Sequence, residues 1–79
     1  MNISGVIVRA RPEQLAAVRA RLAEIAGVEV HAATDDGRLI VTVEEASDRL
    51  LADAVIGLNN VPGVLAASMV YHQYDEGPL

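Results

Sequence analysis

The chain reads as an α+β domain in which one antiparallel four-stranded sheet carries two helices on a single face. Three observations predict it. Short β-branched, apolar runs lie at both ends of the chain. Two windows between them repeat apolar residues at spacings of three and four. In the middle, two alternating segments are joined by the turn residues "TDDG".

"ISGVIVRA" (3–10) is apolar in both phases, the pattern of a central strand covered on each side. Pro12 suits the first position of a helix, and Leu15, Val18, Leu22 and Ile25 then form its buried stripe until Gly27 stops it. "VEVHAA" (28–33) and "RLIVTVE" (38–44) alternate on either side of Thr34–Gly37, which predicts a hairpin. Ser47 or Asp48 caps a second helix with the stripe Leu51, Ala54, Val55 and Leu58, ended by Asn59, Asn60 and the Pro62-Gly63 pair. "GVLAASMVYHQ" (63–73) is the last strand, and the acidic tail "YDEGPL" is expected to fray. The order strand, helix, strand, strand, helix, strand is that of the ferredoxin-like βαββαβ fold, with strands in the spatial order 4-1-3-2 and residues 1–79 as one domain.

Composition narrows what such a domain can do. At 79 residues the chain removes only about 60% of its unfolded surface from water, too little to enclose a large pocket. Cysteine is absent, which excludes disulfides, thiolate catalysis and cysteine-based metal sites. A net charge of −5 repels phosphate backbones, and Tyr71 and Tyr74 are the only aromatic residues, so nucleic acid is not an expected partner. No apolar run approaches the roughly 20 residues of a membrane span, and "MNISGVIV" lacks the basic start of a secretory signal; the expected location is the cytoplasm.

With both helices on one face, the other face of the sheet has no cover of its own. Alternation assigns Val6, Val8, Val28, Val30, Leu39, Val41 and Val43 to the helix side, with Ala67, Met69 and Tyr71 from the last strand. The open side then receives Ile3, Gly5, Ile7, Arg9, Arg38, Ile40, Thr42 and Glu44, with Ala66, Ser68, Val70 and His72 from the last strand. Ile7, Ile40 and Val70 give apolar purchase while Gly5, Ala66 and Ser68 keep the ground low, which describes a shallow trough suited to docking or self-association. Strand direction sends Glu29, Glu44, Asp75 and Glu76 towards one end and Arg9 and Arg38 towards the other. A peptide with basic residues at one end and an apolar body complements that polarity.

Catalytic chemistry is missing. His31 and His72 are expected at opposite edges of the sheet, no phosphate loop or nucleophile elbow occurs, and the pairs Asp35-Asp36 and Glu44-Glu45 are adjacent in sequence rather than convergent. No cofactor is expected. An acyl-phosphate or phosphate-ester hydrolase would depend on Arg11 and is not the expected function.

Taken together, "GVIVRARPEQL", "GRLIVTVE" and above all "NVPGVLAASMVYHQ" resemble the NapD family, the small cytoplasmic chaperones of periplasmic nitrate reductase. The resemblance implies a ferredoxin-like chaperone that is not an enzyme. It implies binding of the twin-arginine (Tat) signal peptide of the catalytic subunit NapA, with export held back until folding and cofactor loading are complete. Val70, Tyr71, His72 and Gln73 match the family ending, and Val6 and Val8 its first strand. The residues expected to meet the peptide are Gly5, Ile7, Ile40, Thr42, Glu44, Ser68, Val70 and His72. No membrane partner is expected, and self-association at most weak. The alternative is a homo-oligomeric, ACT-like regulatory or ligand-sensing module.

Overall fold

The computed structural model describes the backbone from Asn2 to Tyr74 and the side chains as far as Val70. Strand β1 (Asn2–Ala10) is followed by a short 3-10 turn (Pro12–Gln14) that leads into helix α1 (Leu15–Ala23). Strands β2 (Val28–Ala33) and β3 (Arg38–Glu45) form the hairpin, and helix α2 (Asp48–Leu58) precedes strand β4 (Val64–Tyr74). The sheet order is β2-β3-β1-β4 with every pairing antiparallel, as the sequence predicts.

The core lies between the sheet and the helices. Val6 and Val8 from β1, with Leu39, Val41 and Val43 from β3, pack against Val18 and Leu22 of α1 and Leu51, Val55 and Leu58 of α2; all are buried. Each fully buried Leu or Val contributes about 1.5–3 kcal/mol of transfer free energy, so this one cluster supplies most of the favourable term in so small a domain. α1 is shorter than its stripe suggests. The helix ends at Ala23, and Ile25, expected inside, is 37% exposed in the turn, where its N–H donates to the Leu22 carbonyl at 3.1 Å.

α2 begins on Ser47, whose Oγ accepts from the Leu50 N–H at 3.2 Å, which settles the choice of cap left open by the sequence. Such a cap contributes about 1 kcal/mol by satisfying an otherwise orphan donor. At the other end, Asn59 Oδ1 accepts from the Ala67 N–H of β4 at 3.0 Å. That bond ties the helix end to the sheet and occupies a donor on an edge strand.

Three irregularities bend the edge strands, one of them at the start of β4, which pairs Ala66 with Arg9 but Val64 with Ala10 and so leaves Leu65 as an extra residue. β2 pairs Val30 with Val41 but Ala32 with Ile40, so His31 is the extra residue of a bulge. β4 pairs Met69 with Val6 but Tyr71 with Gly5, so Val70 is the extra residue there. The unbroken alternation expected from Ala66 to His72 is therefore corrected at Val70. Beyond it the register sets Tyr71 opposite Gly5, an open-side position, and His72 opposite Ser4, a helix-side one. The side chains of Tyr71 and His72, and the tail residues Asp75 and Glu76, lie outside the described residues.

Candidate functional site

The face of the sheet opposite the helices is built from the alternate residues of β1 and β3. Ile3 and Ile7 are half-buried and Ile40 is 41% exposed, whereas their neighbours Val6, Val8, Leu39 and Val41 on the other side are nearly or fully buried. Ile7 and Ile40 stand directly opposite each other. Ser68 pairs with Ile7 on the other flank, and both Ser68 and Val70 are exposed. Gly5 lies between Thr42 and Tyr71 in the register and is buried, so it forms floor rather than wall.

Of the residues expected to act together, Ile7, Ser68 and Val70 line one shallow depression of about 330 Å³, with Arg9 and Arg38 at its end. Ile40 adjoins it across the Ile7 pair. Thr42 is half-buried and engaged, because its Oγ1 shares a 2.7 Å hydrogen bond with His31 Nε2, the donor being set by the imidazole tautomer. Glu44 stands further along β3, opposite Ile3, and with Glu45 lines a second hollow of about 450 Å³ against Ala26, Gly27 and Ala46. His72 is the one expected residue whose side chain lies outside the described part.

Charge is separated along the strands as the topology requires. Ile3 pairs with Glu44 and Asn2 with Glu45 at one end, while Arg9 pairs with Arg38 at the other. Glu29 pairs with Thr42 and belongs to the acidic end. Like charges directly opposite one another destabilise a sheet, and the basic end relieves this with Asp36, whose Oδ2 lies 3.5 Å from Arg38 Nε. Sequence reading missed the role of Asp36, since a "TDDG" turn signals only chain reversal.

The Asp36 carboxyl is held below its usual range, first by the Thr34 hydroxyl that donates to Oδ1 and then by Arg38 and, less, Arg9; desolvation opposes them. A depressed folded pKa means that these contacts stabilise the fold above the ordinary aspartate pKa and are lost as pH falls through the lowered one. In an NMR carboxyl titration, Asp36 is expected to titrate below ordinary aspartate, and Thr34→Val is expected to bring it back up.

Among the described residues, no group of three His, Asp or Glu is arranged to hold a metal ion, and no helix is long and apolar enough to cross a membrane. The site is thus an uncovered, polarised sheet face rather than a pocket.

Comparison with known proteins identifies the family and the fold. The family model described as "NapD protein" matches residues 1–76. The chain belongs to the NapD family. Chaperone NapD of Escherichia coli (strain K12) is 37% identical over 77 residues, covering 95% of this chain and 87% of that one. Chaperone NapD of Haemophilus influenzae is 28% identical over 76 residues, covering 95% of this chain and 82% of that one. The solution structure of the E. coli Tat proofreading chaperone protein NapD superposes with a TM-score of 0.82 at 33% identity, covering 98% of this chain and 82% of the other. The ferredoxin-like fold is thereby shared with a NapD chaperone over nearly the whole chain.

Proposed function

We propose that this protein is a cytoplasmic chaperone that binds the twin-arginine signal peptide of NapA, supports maturation of that subunit and holds back its export until folding and cofactor loading are complete. One observation carries the reading. An uncovered sheet face with the apolar residues Ile7, Ile40 and Val70 lies between carboxylates at one end and arginines at the other. A signal peptide has the matching chemistry, with paired arginines followed by an apolar stretch. Its amphipathic helix lays the apolar side on Ile7, Ile40, Ser68 and Val70, and its guanidinium groups meet Glu29 and Glu44, which can accept paired hydrogen bonds. The bond from Ala67 N to Asn59 Oδ1 favours a helix on the face over a strand added at the β4 edge, because that edge is partly occupied.

Membership in a family of named chaperones supports this reading and argues against catalysis. The test is a calorimetric titration with the NapA signal peptide, alongside a version with both arginines changed to lysine, at low and high salt. Expected is tighter binding of the arginine form, weakened by salt because the charged ends are solvent-exposed. Equal binding of both peptides at every salt concentration contradicts guanidinium recognition. The competing reading is self-association through the same apolar face, and sedimentation at working concentration separates them: a dimer without peptide affinity favours the oligomeric module.

A further inference from the structure

Arg9 and Arg38 are cross-strand partners on the open face and together close the end of the Ile7, Ser68 and Val70 depression. Like charges in direct register cost stability. Asp36, beyond the end of the strand, offsets only part of that charge, so two guanidinium groups share one carboxylate. The pair is exposed and lines the depression beside the apolar side chains of Ile7 and Val70.

We propose that Arg9 and Arg38 form a seat for the negative, C-terminal end of the helix that lies on the sheet, and so fix its direction and length. The inference rests on the signal-peptide reading and adds to it a second recognition point. A helix ends in free carbonyl groups that carry about half a negative charge, which cations favour. With the peptide's arginines at the Glu44 end, its carbonyl end points to Arg9 and Arg38. Six residues separate the Ile3–Glu44 row from the Arg9–Arg38 row. At about 3.4 Å per residue this is about 20 Å, the length of about 13 residues of α-helix. The face therefore measures the apolar segment as well as reading its charge.

The test uses the full chain and synthetic peptides of two arginines followed by about 13 alanine and leucine residues, ending in either a free carboxylate or a carboxamide. The wild type is expected to bind the carboxylate form about fivefold more tightly at low salt. That preference disappears in the Arg9→Gln, Arg38→Gln double variant, whose amide spectrum remains folded, and grows in Asp36→Asn, which removes the competing carboxylate. A peptide shortened by about five residues falls short of the seat and shows no preference. Equal binding of both forms by a wild type that still prefers the arginine over the lysine version of the NapA signal peptide overturns this proposal and leaves the signal-peptide reading intact. A wild type that binds neither form yet binds the NapA signal peptide overturns this proposal alone, and one that binds neither form nor the NapA signal peptide overturns both.

Discussion

Ile7→Glu is expected to weaken signal-peptide binding by about 100-fold, or about 2.7 kcal/mol. Ile7 stands at the centre of the open face, opposite Ile40 on one side and Ser68 on the other, and lines the depression that ends at Arg9 and Arg38. A carboxylate placed there has to lose its water when the peptide's apolar side settles on it, and nothing apolar can return that hydration. It also draws on Arg9, two positions along the same face, and thereby blocks the basic end. The fold is expected to survive within about 1 kcal/mol, since Ile7 is on the uncovered side and outside the main core. Titration calorimetry measures the loss, and urea unfolding measures the stability. Retained affinity in a folded variant would mean that the peptide does not use this face.

The largest effect on stability is expected at Gly37. Its φ of +96° belongs to the left-handed region, and a Cβ built there would overlap the carbonyl oxygen of Ala10. The turn cannot simply move away, because the Gly37 carbonyl accepts from the Ala10 N–H at 2.8 Å and its own N–H donates to the Thr34 carbonyl at 3.1 Å. The first bond docks the β2–β3 hairpin against the end of β1, and the second closes the turn itself. Gly37→Ala is expected to cost about 3 kcal/mol from backbone strain and overlap together. That is a large part of the roughly 5–15 kcal/mol that holds a small domain folded. Urea denaturation followed by far-UV circular dichroism reads the change, and a shift below about 1 kcal/mol would show that the hairpin docks elsewhere.

Much of this architecture is legible in the residue order because the rules involved are local. The period of two in "RLIVTVE" separates Leu39, Val41 and Val43 from Arg38, Ile40, Thr42 and Glu44, and the burial of the first set and exposure of most of the second follow it. Strand direction then places Arg9 beside Arg38 and Glu44 beside Ile3 with no further information. The bulges are different. Whether Val70 or His31 is an extra residue depends on the neighbouring strand, which the strand's own sequence does not contain. Met69 shows a related limit: it sits opposite Val6 in the helix-side row, yet it is 45% exposed because β4 is an edge. The site divides along the same line. Ile7, Ile40 and Ser68 follow from periodicity, whereas the place of Val70, the bond between His31 and Thr42 and the pairing of Asp36 with Arg38 depend on bulges and a turn.

Amide chemical-shift mapping during titration with the NapA signal peptide tests most directly whether the uncovered sheet face is the binding surface. The predicted footprint runs diagonally over Ile3, Ile7, Ile40, Ser68 and Val70 and reaches both the Glu44 and the Arg38 ends. A footprint confined to the outer sides of α1 and α2, around Arg19, Asp53 and Ile56, with the sheet amides unmoved, would contradict it.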